Sequence, residues 1–378
     1  MSKTVKNYSL IIGIFAVILV ACLWYMNFCY GMGLLGEGST NDRGTFGDMF
    51  GAVNAVFSGL AFAGIIISLY MQRIDLKNQK EQLKLNYAEV KQTNKEFKKQ
   101  NETLQIQKFE NQYYKMIDLH KDNVNEMSIP FFDLLGGAMT SRINKSIESQ
   151  SPSIILREVV GKKGFVDMVK ELDYCLQISN NLLQKNNDFD YKDEVVQRFA
   201  YTIFFWGVYS DFSTSDTITL EHQEIVKNKI KEKQKEFKLN VYQGNSQHIN
   251  TRYVPFQGHE SRLAHYYRHL FQTVKYVVSQ EDKKIISYDE VRQYLRILRA
   301  QLSNSEQLML YYNYICGFGK NWDKKGVKNY QFLTKYRMIH NIPVGRVKTV
   351  ENPRIHFKDY ITSYCSNSDP LFEWGDNI

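Results

Sequence analysis

Proline is scarce, with six residues in a chain of 378, which argues against a turn-rich all-β domain and for long uninterrupted helices. Cysteine is scarce too. The five cysteines (Cys22, Cys29, Cys175, Cys316 and Cys365) are scattered, form no C-x-x-C pair, and place two of their number inside one apolar block. Neither a disulfide framework nor a structural zinc site is expected, and the pattern suits a reducing cytoplasm. The sequence has no P-loop, no dinucleotide-binding glycine turn, no nucleophile elbow and no carboxylate pair at a motif spacing. Generic enzyme classes therefore gain no support, and no cofactor and no metal are expected. A field of one sign is missing as well: the net charge of +8 is the difference between 48 basic and 40 acidic residues interleaved along the chain. That pattern reads as solvated surface.

Two long uncharged blocks are present, both before Arg73. Residues 8–30, YSLIIGIFAVILVACLWYMNFCY, and residues 49–70, MFGAVNAVFSGLAFAGIIISLY, each have the roughly 20 apolar residues that span a hydrocarbon core. Leu19-Val20-Ala21-Cys22 has the form of a lipoprotein cleavage box, but the residues after it stay apolar and aromatic, so an uncleaved spanning helix is expected. Lys3 and Lys6 precede the first block, Arg73, Lys77, Lys80 and Lys84 follow the second, and the loop between carries only Arg43. By the positive-inside rule both termini face the cytoplasm, giving a two-helix hairpin in a bacterial inner membrane. Gly47, Gly51, Ala55, Gly59 and Ala63 recur at every fourth position of the second helix, a smooth ridge for close helix packing within the hairpin or between chains.

Beyond the membrane block, Leu76, Leu83, Val90, Phe97 and Leu104 recur at seven-residue intervals, each followed three residues later by Gln79, Asn86, Thr93, Gln100 or Gln107. One seam is apolar and the other is made of uncharged hydrogen-bonding groups, as in half of a coiled coil. Unbroken over residues 50–109, such a helix is about 90 Å long and needs a partner. A second copy of the chain or a helix of its own domain can provide one.

The abundance of aromatics, 25 Tyr and 23 Phe, fits an all-α soluble part packed through rings. The expected organisation is a transmembrane hairpin over 1–71, a coiled-coil-like stalk helix over 72–108, a cytosolic helical domain over 109–345 and a C-terminal tail over 346–378. Within the domain, periodicity predicts helices over 109–127, 164–185, 191–209, 217–237, 261–279, 287–302, 305–316 and 330–340. Ser287 and Glu290 form a capping box, and loops are expected over 130–153 and 240–258.

Candidate sites lie on two basic stripes. Arg262, His265, Arg268 and His269 share a helix with the apolar face Leu263, Tyr267, Leu270, Phe271 and Val274. His265 and His269 stand four apart, but the segment HYYRH lacks the glutamate of H-E-x-x-H and no third ligand is evident. Arg262-x6-His269 satisfies the Arg-x4-6-His spacing of ribonucleases of the HEPN fold, in which the histidine moves a proton and the arginine stabilises phosphate. Arg252-x6-His259 has the same spacing. Arg292, Arg296 and Arg299 form the second stripe, opposite Val291, Leu295 and Leu298. Both stripes read as surface basic faces, or together as an anion or nucleic-acid surface.

The segments FGDMFGAVNAVFSGLAFAGIIISLYMQ, LKNQKEQL, FENQYYKMIDLHKDNVNEM, HYYRHLFQTVKYV, LRAQLSNSEQLMLYYN and KYRMIHNIP, in this order over residues 46–343, resemble the phage abortive infection proteins of the AbiC type. The resemblance implies a membrane-anchored bacterial protein of anti-phage defence, and carries no catalytic residues with it. Three functions follow: a non-enzymatic membrane effector whose cytosolic domain senses infection, a membrane-tethered HEPN-like ribonuclease, or a scaffold that recruits another defence component. The expected partners are the lipid bilayer, further copies of the chain through hairpin and stalk, and a phage-derived trigger or another defence component, with nucleic acid an open alternative.

Overall fold

A computed structural model describes residues 15, 18–26, 29, 40–135, 153–184, 191–211, 217–243, 251–324 and 330–376. The chain divides into two units, Met1–Lys98 and Lys99–Ile378.

In the first unit, residues 18–26 of the first apolar block are helical; of the connecting loop expected over 31–48, residues 31–39 lie outside the described residues and residues 40–48, Arg43 included, are helical instead. Helix α1 (Thr40–Glu126) carries the second apolar block and the heptad series without a break. Among the described residues, one helical stretch, Phe57–Glu126, contains a window long and apolar enough to cross a membrane, and that window buries nothing within the chain. Leu60, Phe62 and Ile67 are exposed, and among the described residues nothing lies within 4 Å of a Cβ built on Gly51 or Gly59. The seam residues Leu76, Leu83, Val90 and Phe97 are each more than half exposed.

The second unit is mainly helical: the last turns of α1, then β1 (Ser128–Leu135), β2 (Ser153–Val160), α2 (Lys162–Leu183), α3 (Asp193–Trp206), α4 (Leu220–Gln243), α5 (Glu260–Asp282), α6 (Tyr288–Arg299), α7 (Asn304–Ile315), α8 (Pro353–His356) and α9 (Lys358–Tyr364). Past exposed Leu104, the apolar pattern of α1 changes from one residue per heptad to a stripe of Phe109, Tyr113, Ile117 and Val124, all buried. This is the spacing of a helix face packed on a core. Tyr113 Oη donates to Tyr294 O at 2.5 Å, and Tyr294 Oη donates to Glu110 Oε1 at 2.6 Å, which fastens α1 to α6. Helix α7 is apolar nearly all round, and Leu308, Met309, Leu310, Tyr311 and Tyr312 are fully buried at the centre. Its phenols find acceptors, Tyr312 Oη at Asp173 Oδ1 (2.6 Å) and Tyr311 Oη at Glu351 O (2.8 Å), as buried tyrosines require. The capping box predicted at Ser287 and Glu290 is present, and a second one caps α7 with Ser303 and Glu306.

Three further expectations are corrected. The loop expected over 130–153 is in part strand: β1 and β2 pair antiparallel from Ser128 opposite Val160 to Leu135 opposite Ser153. Their sequences, SIPFFDLL and SIILREVV, are rich in the aromatic and branched residues that favour strands. Pro130 is tolerated because both strands of a two-stranded sheet are edges. Ile129 and Val159 face each other across the pair and are both buried. The helix expected over 330–340 is a series of turns. Phe332, Leu333, Tyr336, Met338 and Ile339 are all buried, and Arg337 has φ +60, outside the helical region. Thirdly, residues expected to form a tail enter the core, as Phe357, Leu371 and Phe372 are buried in it.

One backbone crossing requires glycine. Gly207 and Gly258 have φ +95 and +91, and a Cβ on Gly258 would stand 2.7 Å from Trp206 O and 2.8 Å from Gly207 N. The bonds from Val208 N to Phe256 O (3.0 Å) and His259 N to Phe205 O (2.8 Å) hold the crossing.

Candidate functional site

The basic residues of α5 divide between its two sides. Leu263, Tyr266, Leu270, Val274 and Val277 fill the core, while His265 and Arg268 are exposed. Arg262 and His269 are half-buried and reach across to neighbouring elements. Arg262 Nε donates to Ser128 O at the start of β1 (2.7 Å), and His269 Nε2 bonds to Met116 O of α1 at 2.8 Å. They therefore join α5 to the end of α1 and to the strand that follows it.

Beneath His269 lies a buried polar cluster that spacing alone does not reveal. The His120 ring stacks on that of His269 with centroids 6.1 Å apart and lies 5.4 Å from Tyr266. Its Nε2 is 4.0 Å from Glu306 Oε1, which accepts from Tyr266 Oη at 3.3 Å. The other oxygen of Glu306 takes the Ser303 N–H and hydroxyl of the capping box. His120 and Glu306 are 2% and 0% exposed, so no substrate reaches them. Burial, with the nearby His269 and Lys162 charges, lowers the His120 pKa to about 4, and the ring is neutral at physiological pH. The readable signal here was the Ser303-x-x-Glu306 capping box; His120 on α1 carried none.

A second acid–base set anchors the segment before α5. Asp167 and Glu171 stand one turn apart on α2. Asp167 Oδ2 accepts from Arg252 Nε at 2.7 Å, and Glu171 Oε2 lies 2.9 Å from His259 Nε2. Arg252 and His259, the second pair at ribonuclease spacing, are thus held by separate carboxylates.

The stripe on α6 is likewise divided. Arg292 makes a bidentate contact with Asp369 at 2.7 and 2.9 Å, and Arg337 Nη2 adds a third bond to the same carboxylate at 3.0 Å. Arg299 is buried and donates to Arg337 O. Burial first, then the neighbouring arginines, bring its pKa down to about 10. Arg296 is exposed. The partners of Arg292 and Arg299 are thus Asp369 and Arg337, not the residues of α5. Among the described residues, no group of three or more His, Cys, Asp or Glu side chains is placed to hold a metal ion.

The open site is elsewhere. A cavity of about 1310 Å³ lies between α3, the end of α7, the turn that follows α7 and the segment before α8. Arg198, Lys320, Lys324 and Lys348 line it together with Tyr314 and His356. His356 Nδ1 bonds Glu351 Oε2 at 2.7 Å, and its Nε2 is 3.3 Å from Tyr314 Oη. These residues come from three distant stretches of sequence, so no spacing could have joined them.

Residues 258–347 match the family model described as "Putative phage abortive infection protein", the family that the sequence segments resemble. The matched stretch contains α5, α6 and α7, with Arg262, His269, Arg292, Arg296, Arg299 and Glu306, and does not reach the apolar blocks. Comparison with curated proteins and with solved structures gave no match.

Proposed function

We propose that the chain is a membrane-attached effector of anti-phage defence by abortive infection, in which a cytosolic domain acts on a membrane hairpin through α1. The family match over 258–347 supports the defence role. The observation that carries the coupling is the continuity of α1: one helix, Thr40–Glu126, contains the apolar window and ends as the buried stripe Phe109, Tyr113, Ile117 and Val124. A helix transmits rotation or displacement along its axis because each turn is hydrogen-bonded to the next. The turns at its far end are fixed to α5 and α6 through Met116 O, Glu110 and Tyr113.

In this reading both termini are cytoplasmic, residues 8–30 and 49–70 form the hairpin, and copies of the chain associate through the stalk. The apolar seam supports self-association: its five side chains are exposed in the single chain, and each one fully covered contributes about 1.5–3 kcal/mol. The polar second seam costs stability but fixes register and chain number.

The ribonuclease reading is weaker because His269 and Arg262 each bond a backbone carbonyl of a neighbouring element, a packing role. A membrane-potential dye in infected cells separates the two. Loss of potential before lysis, only in cells carrying the chain, is the expected result; a maintained potential with cleaved RNA would select the ribonuclease instead.

A further inference from the structure

The cavity beside α3 has chemistry that the membrane reading does not use. We propose that it binds a phosphate-bearing small molecule of nucleotide size, with Arg198 and Lys320 holding the phosphates.

The argument begins at Gly317. The chain leaves α7 through this residue at φ +88 and enters a short 3-10 helix, Lys320–Trp322. A Cβ placed on Gly317 would stand 3.3 Å from Lys320 Cε and 4.0 Å from Arg198 Cδ, so the stems of two cationic side chains from separate elements converge on one point. Both residues are exposed at the cavity wall, and among the described residues neither forms an ion pair with a carboxylate. A phosphate group held between them would accept charge-assisted hydrogen bonds from both.

Three of the four carboxylates of the same wall accept hydrogen bonds from neighbouring groups, which orients them without removing their charge. Glu351 bonds His356, Asp193 accepts from the Gln184 amide at 2.5 Å, and Asp323 accepts the Thr334 N–H at 2.8 Å. Glu194, at the exposed start of α3, is the remaining one. Lys324 and Lys348 extend the cationic rim. A volume of about 1310 Å³ exceeds the ~300–1,000 Å³ of ordinary ligand sites, which leaves room for more than a phosphate group. Tyr314, Ile315, Val195 and Val350 supply the apolar wall that a nucleobase needs. The proposal concerns what the domain binds and stands whether or not the hairpin is the effector.

Calorimetry on the full chain in detergent micelles tests it with three probes: inorganic tripolyphosphate, ATP and GTP. Tripolyphosphate reports the phosphate site whatever the base. Saturable binding of tripolyphosphate, and tighter binding of at least one nucleotide, are expected. The double variant Arg198→Ala/Lys320→Ala should weaken it at least about tenfold, equivalent to about 1.4 kcal/mol, while the distant Lys283→Ala leaves it within about twofold. The charge-conserving pair Arg198→Lys/Lys320→Arg should retain most of the affinity, and this guards against a folding defect in the alanine variant. Absence of saturable binding by all three probes, binding that survives the double alanine variant, or equal weakening by Lys283→Ala would overturn the proposal.

Discussion

Glu171 on α2 and His259 before α5 meet at 2.9 Å inside the core, and Glu171 also accepts the Phe256 N–H at 2.6 Å. One buried carboxylate thus fixes both ends of a turn in which Phe256 is held at φ +65, beside the Gly207–Gly258 crossing. Removing one partner of a buried pair leaves the other unmatched and typically costs about 3–5 kcal/mol. Glu171→Ala should therefore lower the thermal midpoint of the full chain in detergent substantially, and Glu171→Gln, which can still accept from Phe256 N, should lower it less. Equal midpoints for wild type and Glu171→Ala would show that the pair is not a fastening.

His120 gives the domain an acid sensitivity. Its pKa falls from the ordinary 6.5 to about 4 through burial, then through His269 and Lys162; Glu306 and the Tyr266 hydroxyl face it as well. The unfolded chain takes up this proton near 6.5 and the folded chain does not until about 4. The corresponding stability is complete above about pH 6.5 and is lost toward pH 4, at up to about 1.4 kcal/mol per pH unit. Asp323 acts in the opposite sense: burial raises its pKa to about 6, so its contribution is present at low pH and lost as pH rises through 6. The wild-type profile contains both, and the difference between wild type and His120→Phe isolates the histidine. That difference, measured by urea unfolding at pH 7, 6 and 5, should shift in favour of the variant as pH falls. A constant difference would contradict the burial of His120.

On α5, Arg262→Ala and His269→Ala each remove a bond to a backbone carbonyl, Ser128 O or Met116 O. Each should destabilise the domain by about 0.5–1.5 kcal/mol, the net range of one hydrogen bond, with the charged Arg262 toward or above the upper end. Defence should fall partially and in step with the amount of folded protein. Complete loss of defence at unchanged protein level would instead favour proton transfer by His269.

Much of the helical frame was legible because its signals are local. The apolar faces of α2 to α6 follow helical spacing, and Ser287 with Glu290 announces a helix start in four residues. The turns over 330–340 were not legible: Phe332, Leu333, Met338 and Ile339 give an apolar run that a buried helix and a buried irregular segment share. The β pair was hidden because most of its first strand falls in the stretch 130–153, expected as a loop. Site chemistry was the least legible, since His120 comes near Glu306, and Arg198 and Lys320 come to line one cavity, only through tertiary packing. Spacing grouped Arg262 with His269, whereas the fold gives each its own carbonyl.

The central claim is that the chain acts at the membrane, and plaque counts with a truncated chain test it most directly. A strain carrying the full chain should give fewer phage plaques than one without it. A strain producing residues 72–378, with that fragment shown to accumulate in folded form, should be as sensitive as the strain with none. Full protection by the soluble, folded fragment would contradict the account.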